Sequence, residues 1–164
     1  NLSFVRAVEA RATSEEQARE ICRKQLVGVA GIAAERLHRV LDLPRGRAAA
    51  LRLLALHPLL NPAAYVDATL DTEAMHLHVR SSPAHEDGSW VSLVGPGEAT
   101  ALQAVVRAVD DRYDVDLVGT AEDWTATLVE GEPTKEADEV AVTRFSTGSS
   151  FVFEPRRSLP ITPV

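Results

Sequence analysis

The sequence predicts an α+β fold in which helices come first and a mostly antiparallel sheet follows. Three observations predict it. Between residues 13 and 57 apolar residues recur at intervals of three and four, the helical period. From Ala64 the period changes to two, the mark of strands with one buried face. The later apolar runs are short and separated by turn residues, so hairpins dominate over crossovers. The expected architecture is a helical hairpin (13–57), then a sheet region (64–154) of about six to seven strands with one further helix packed on it. A chain of 164 residues accommodates this as a single domain, 1–154, followed by an extended Pro-rich tail, 155–164.

Asn1 to Ala12 is mixed, with Leu2, Phe4, Val5 and Val8 apolar, and reads as a short helix or an ordered arm. Thr13-Ser14-Glu15-Glu16 reads as a capping box, a hydroxyl at the N-cap with a Glu three residues on. The helix it starts is expected to reach about Leu41. Ala18, Cys22, Leu26, Val29, Ala33, Leu37 and Val40 form its buried stripe, widened by Ile21 and Ile32. Gly28 and Gly31 each cost ~1 kcal/mol of helix stability relative to Ala and read as points of close helix packing. Leu43-Pro44 stops the helix, because proline lacks the N–H and displaces its predecessor from the α region. A second helix, Arg47 to Leu56, ends at His57-Pro58, and Asn61-Pro62 turns the chain.

Tyr65 to Leu70 and Met75 to Arg80 alternate in polarity about Asp71-Thr72-Glu73, which predicts a hairpin. Val66, Ala68 and Leu70 must share a face with Met75, Leu77 and Val79, since a slip of one residue sets apolar against polar groups. Only a two-residue or four-residue loop allows that. The opposite face then gathers Tyr65, Asp67 and Thr69 beside His76, His78 and Arg80. Ser81 to Gly88 reads as a loop. Trp90 to Val94 reads as a strand, Gly95-Pro96-Gly97 as a turn, and Glu98 to Asp110 as a helix buried through Leu102, Val105, Val106 and Val109. Val115 to Val118 and Trp124 to Val129 read as strands, the first a possible parallel neighbour of Trp90–Val94. An acidic loop, Glu130 to Asp138, leads to a closing pair of strands, Val140–Phe145 and Phe151–Phe153.

Bulk composition excludes several functions. Net charge is −7 with 45% apolar residues, which speaks against nucleic acid or an anionic membrane as a partner. No apolar run approaches the ~18 residues of a membrane span. A single cysteine, Cys22, permits no internal disulfide and points to the cytoplasm. The 17 basic residues include only two lysines, Lys24 and Lys135, a usage expected of a GC-rich bacterial genome. A start at Asn1 without methionine or signal-peptide pattern reads as a piece of a longer protein.

The candidate chemistry is sparse. Gly95-Pro96-Gly97-Glu98 stands where a phosphate loop would, but Pro96 removes a donor and Glu98 places an anion there, which suits the helix dipole instead. His76, His78 and Asp67, with His85 nearby in sequence, are residue types that bind metals, yet their spacing matches no metal family, and no metal or cofactor is expected. Ser146 to Ser150 lacks a nucleophile elbow. Cys22 lies on the apolar stripe and reads as core.

The leading expectation is a non-catalytic ligand-binding or protein-interaction domain, accessory to a larger bacterial protein, with Tyr65, Asp67, His76, His78 and Arg80 as ligand-binding residues. One alternative is a small enzyme acting on an anionic molecule, in which Asp67 orients His78 as general base. The other is an oligomerisation module paired through the first long helix, giving a homo-oligomer.

Overall fold

The computed structural model describes residues 2–61, 63–86, 88–132, 141–144 and 150–153. The chain divides into two units, Asn1–Glu132 and Pro133–Val164. The first unit opens with helix α1 (Leu2–Glu9), the long helix α2 (Glu15–Val40) and α3 (Arg47–Leu56). Strands β1 (Asp67–Asp71) and β2 (His76–Arg80) follow, then two short helices, α4 (Pro83–Glu86) and α5 (Gly88–Val91). Helix α6 (Thr100–Val109) leads to β3 (Tyr113–Gly119) and β4 (Trp124–Glu130). In the second unit, β5 (Ala141–Arg144) and β6 (Ser150–Phe153) form an antiparallel pair of their own.

The α+β class expected from the sequence is observed, with a different strand count. The main sheet is antiparallel with four strands in the order β1-β2-β4-β3, which replaces the expected sheet of six to seven. Its register is the one the face argument requires. Ala68 pairs with Val79 and Leu70 with Leu77, across a four-residue turn between Asp71 and His76. The Asp71 carboxylate holds that turn by accepting the N–H groups of Glu73 (2.9 Å) and Ala74 (2.8 Å). Leu77 and Val79 continue onto Ala126 and Trp124 of β4, and Ala126 and Leu128 onto Leu117 and Val115 of β3. One face of the sheet is thereby apolar throughout.

Helices α3 and α6 pack on that apolar face, and α2 packs on α6. The core lies between them and includes Leu51, Leu53 and Leu54 of α3, Leu102, Val105 and Val106 of α6, and Trp124 of the sheet. The expected helical hairpin of α2 with α3 is therefore not the packing unit, since α2 takes α6 as its main neighbour. The buried side of α2 follows the expected stripe only in part, Leu26 and Leu37 of that stripe being half-buried against the core. Ala18, Cys22, Ala30 and Ala34 are buried, whereas Ile21, Val29, Ile32 and Val40 are exposed. Small residues meet α6 because they let two backbones approach, and a Cβ at Gly31 would sit 4.0 Å from that of Ala104. The large apolar residues are left outside.

Three further corrections concern local structure. The cap of α2 is Ser14, whose hydroxyl accepts the Gln17 N–H (3.1 Å), while the Gln17 side chain accepts from Thr13 N (2.7 Å). The box thus sits one residue later than Thr13–Glu16. The run Trp90–Val94 is no strand: α5 covers its start, and the N–H groups of Leu93 and Val94 return to the Trp90 carbonyl. Short apolar runs between glycines fit either a buried strand or a buried helical turn. Consequently, among the described residues, β3 has no parallel neighbour and pairs with β4. Part of the loop expected at Ser81–Gly88 is the short helix α4. The acidic loop beyond Glu132, most of the final turn and the tail lie outside the described residues.

Two polar groups tie the layers together. His57 is 2% exposed at the end of α3. Its Nε2 lies 3.1 Å from the Ala30 carbonyl of α2, and its Nδ1 accepts the Leu59 N–H at 3.2 Å. A carbonyl can only accept and an N–H can only donate, so the ring is the neutral tautomer protonated on Nε2. On the other side, Gln103 of α6 bonds the edge strand β3, donating to the Tyr113 carbonyl (3.2 Å) and accepting from Val115 N (2.7 Å).

Burial, opposed in part by the bond to Ala30, pushes the His57 pKa below its ordinary 6.5. The unfolded chain therefore binds a proton that the folded chain refuses, and stability must fall as pH drops below about 6.5. Urea unfolding across that window reads this slope, and His57→Gln should flatten it. A second prediction concerns Gly119, whose φ is +139° and where a Cβ would collide with the Asp123 carbonyl. Gly119→Ala should cost about 2–4 kcal/mol in the same assay.

Candidate functional site

The polar face of the sheet is built by register alone. Asp71, His76, Thr127 and Asp116 form one row across the four strands. Thr69, His78, Thr125 and Val118 form the next, and Asp67 stands opposite Arg80. Four of the five expected binding residues, Asp67, His76, His78 and Arg80, therefore share this face. Tyr65 precedes β1, half-buried against the core, and its carbonyl accepts the Ala84 N–H (2.9 Å).

Two charge pairs stand on this face. Arg80 donates to Thr69 Oγ1 at 2.9 Å and lies 3.5 Å from the Asp67 carboxylate. His78 Nε2 lies 3.0 Å from Asp123 Oδ1, so Asp123, at the start of β4, is the carboxylate that orients this imidazole. Sequence pattern did not single out Asp123, because its approach to His78 depends on the β2–β4 pairing. Helices α3 and α6 cover the opposite face, and Asp67, Thr69, Arg80 and Asp116 stand open to solvent. His85 lies on α4, bonded through Nδ1 to Ser82 and packed edge-on against Trp90, with ring centroids 5.1 Å apart. Among the described residues no group of three or more His, Cys, Asp or Glu is placed to hold a metal ion.

The glycine turn before α6 is occupied by its own chain. The Glu98 carboxylate accepts the Thr100 N–H (3.1 Å) and the Thr100 hydroxyl, filling the position an anion would take. Trp124 is a buried core anchor and Trp90 is half-buried.

Two other features emerge only from the fold. A cavity of about 510 Å³ opens between α1, the first turns of α2, and the segment around Leu93. Val5, Ala18, Cys22 and Leu93 line its apolar wall, with Glu9 and Arg19 at its charged side. The second feature is the outer face of α2. Ile21, Val29, Ile32 and Val40 are 42%, 50%, 53% and 80% exposed. At 100° per residue they fall within about 100° of arc, which the exposed Gln25 and Arg36 share and which at the helix start holds the buried Ala18 and Cys22.

Comparison with protein-family models, curated proteins and solved structures finds no match for this chain. Among the described residues, no helix is long and apolar enough to cross a membrane.

Cys22, the chain's one cysteine, reports on the cavity. Burial, and secondarily the charge of Glu9, raise its pKa above the ordinary thiol value. Reaction with an uncharged thiol reagent should be about ten-fold or more slower than for a free thiol at neutral pH. Its pH midpoint should move down in Glu9→Gln. Labelling as fast as a free thiol would contradict the buried placement.

Proposed function

We propose that this chain is a non-catalytic protein-interaction domain that pairs with a second copy through the outer face of α2. The exposure of Ile21, Val29, Ile32 and Val40 on one helix carries this reading. Single exposed apolar residues are ordinary, but four large ones along one side of one helix suit a surface that something covers. Ile21 and Ile32 stand about three helical turns apart. An antiparallel copy sets Ile21 of each chain beside Ile32 of the other and Gly28 beside Gln25. Among the described residues, and apart from its own helix backbone, no atom lies within 4 Å of the place a Cβ on Gly28 would take, which leaves room for a second helix. The same arrangement brings the basic end of α2, Arg36 to Arg39, toward the acidic start at Glu15 and Glu16. The Arg-rich, Lys-poor composition supports a bacterial origin for such a module.

A second reading draws on the 3.0 Å bond between His78 and Asp123. In it the polar sheet face binds an anionic small molecule at Arg80, and His78 acts as general base. Asp123 then takes the orienting role expected of Asp67, which lies beside Arg80.

Light scattering tests the first reading. The chain should give about twice its 17.7 kDa mass, and Ile32→Glu should return it to 17.7 kDa. Because residue 32 is exposed, that variant should keep its stability within about 0.5 kcal/mol. A monomer at every concentration, or a dimer indifferent to Ile32→Glu, overturns the proposal.

A further inference from the structure

We propose that the cleft between α1 and α2 binds an elongated amphipathic molecule with an alkyl tail and a cationic, amine-type head. The cavity of about 510 Å³ lies within the roughly 300–1,000 Å³ typical of small-molecule sites. It also continues beyond its own walls. A smaller cavity of about 50 Å³ shares Val5, Cys22 and Leu93 with it and adds Phe4, Gln25, Leu26 and Val29. The path therefore runs from a polar end, where Glu9, Thr13, Glu15 and Arg19 stand, to an apolar end on the α1–α2 seam. A ligand that fits it has two unlike ends.

Charge decides which head group belongs. The polar end holds two carboxylates against one guanidinium. Glu15 and Arg19 neutralise each other at 3.0 Å, and among the described residues Glu9 makes no ion pair. The start of α2 would by itself favour an anion. Its dipole is already answered by Glu15 and Glu16 in the first turn, and the Ser14 hydroxyl takes the Gln17 N–H. The uncompensated charge is thus Glu9, which selects a cation. Glu9 acts on Cys22 through space, raising the thiol pKa, so its carboxylate is close to the cavity wall.

Octylamine, octanol and octanoate share one tail and differ only in the head, so they make a direct test. Protection of Cys22 from a thiol reagent and calorimetric titration should both rank the amine first and octanoate last. The amine should lead the alcohol by about five-fold, the scale of a partly exposed ion pair. In Glu9→Gln, a surface change that leaves the fold alone, amine and alcohol should become equal. Ala18→Met should fill the cavity and weaken all three. Equal binding of the three probes, preference for octanoate, or no protection of Cys22 by any of them overturns the proposal. Repeating the titration on Ile32→Glu keeps this site separate from the pairing of α2: binding that survives there does not depend on a second copy.

Discussion

A buried imidazole is tolerated when it is neutral and both nitrogens are occupied, and that constraint holds the first unit together at His57. The ring closes α3 by accepting the Leu59 N–H and reaches across to the Ala30 carbonyl in the middle of α2. α2 lies mainly on α6 and touches α3 little, so this bond is a polar link between α2 and the end of α3. The same point on α2 is where the helix narrows, with Ala30, Gly31 and Ala34 turned to its neighbours. Polar bond and small residues act together: the close approach puts the Ala30 carbonyl within reach, and the ring satisfies it.

The sheet shows the complementary logic. Polarity alternates along β1, β2 and β4, so α3 and α6 bury one face of the four-stranded sheet and the other is left to water. Charges on that open face settle with each other: Arg80 against Asp67 and Thr69, and His78 against Asp123. Such pairs contribute little to stability at a surface, where solvent competes for each charge. They hold side chains in place above a solvated strand face.

How far these features could be read in the sequence follows from the range of the interactions that make them. The β1–β2 hairpin was legible, register included, because polarity on two adjacent strands leaves only certain loop lengths. Helices α2, α3 and α6 were legible from period and from proline breaks. The faces of α2 were not. Over 26 residues a stripe with spacings of three and four drifts around the helix, and the choice among its turns belongs to the partner. Here α6 selected the small residues and left Ile21 and Ile32 outside. Trp90–Val94 was misread because a five-residue run with four apolar residues fits a strand and a helical turn equally. Of the candidate sites, the cluster on the polar face was found by alternation, whereas Asp123 and the α1–α2 cavity are made by segments distant in sequence.

Helix α2 therefore carries three unlike surfaces. Its inner side is small and closes on α6. Its first turns, with α1 and Leu93, enclose a cavity around the one cysteine. Its outer side presents large apolar residues to whatever approaches. Val29 belongs to both of the last two, lining the smaller adjoining cavity while half exposed. A helix pairing on the outer face and a tail entering the cleft would thus meet at one side chain, and occupancy of either would change the apolar area offered to the other. Coupling between the two sites needs no motion of the fold, only competition for the surface around Val29.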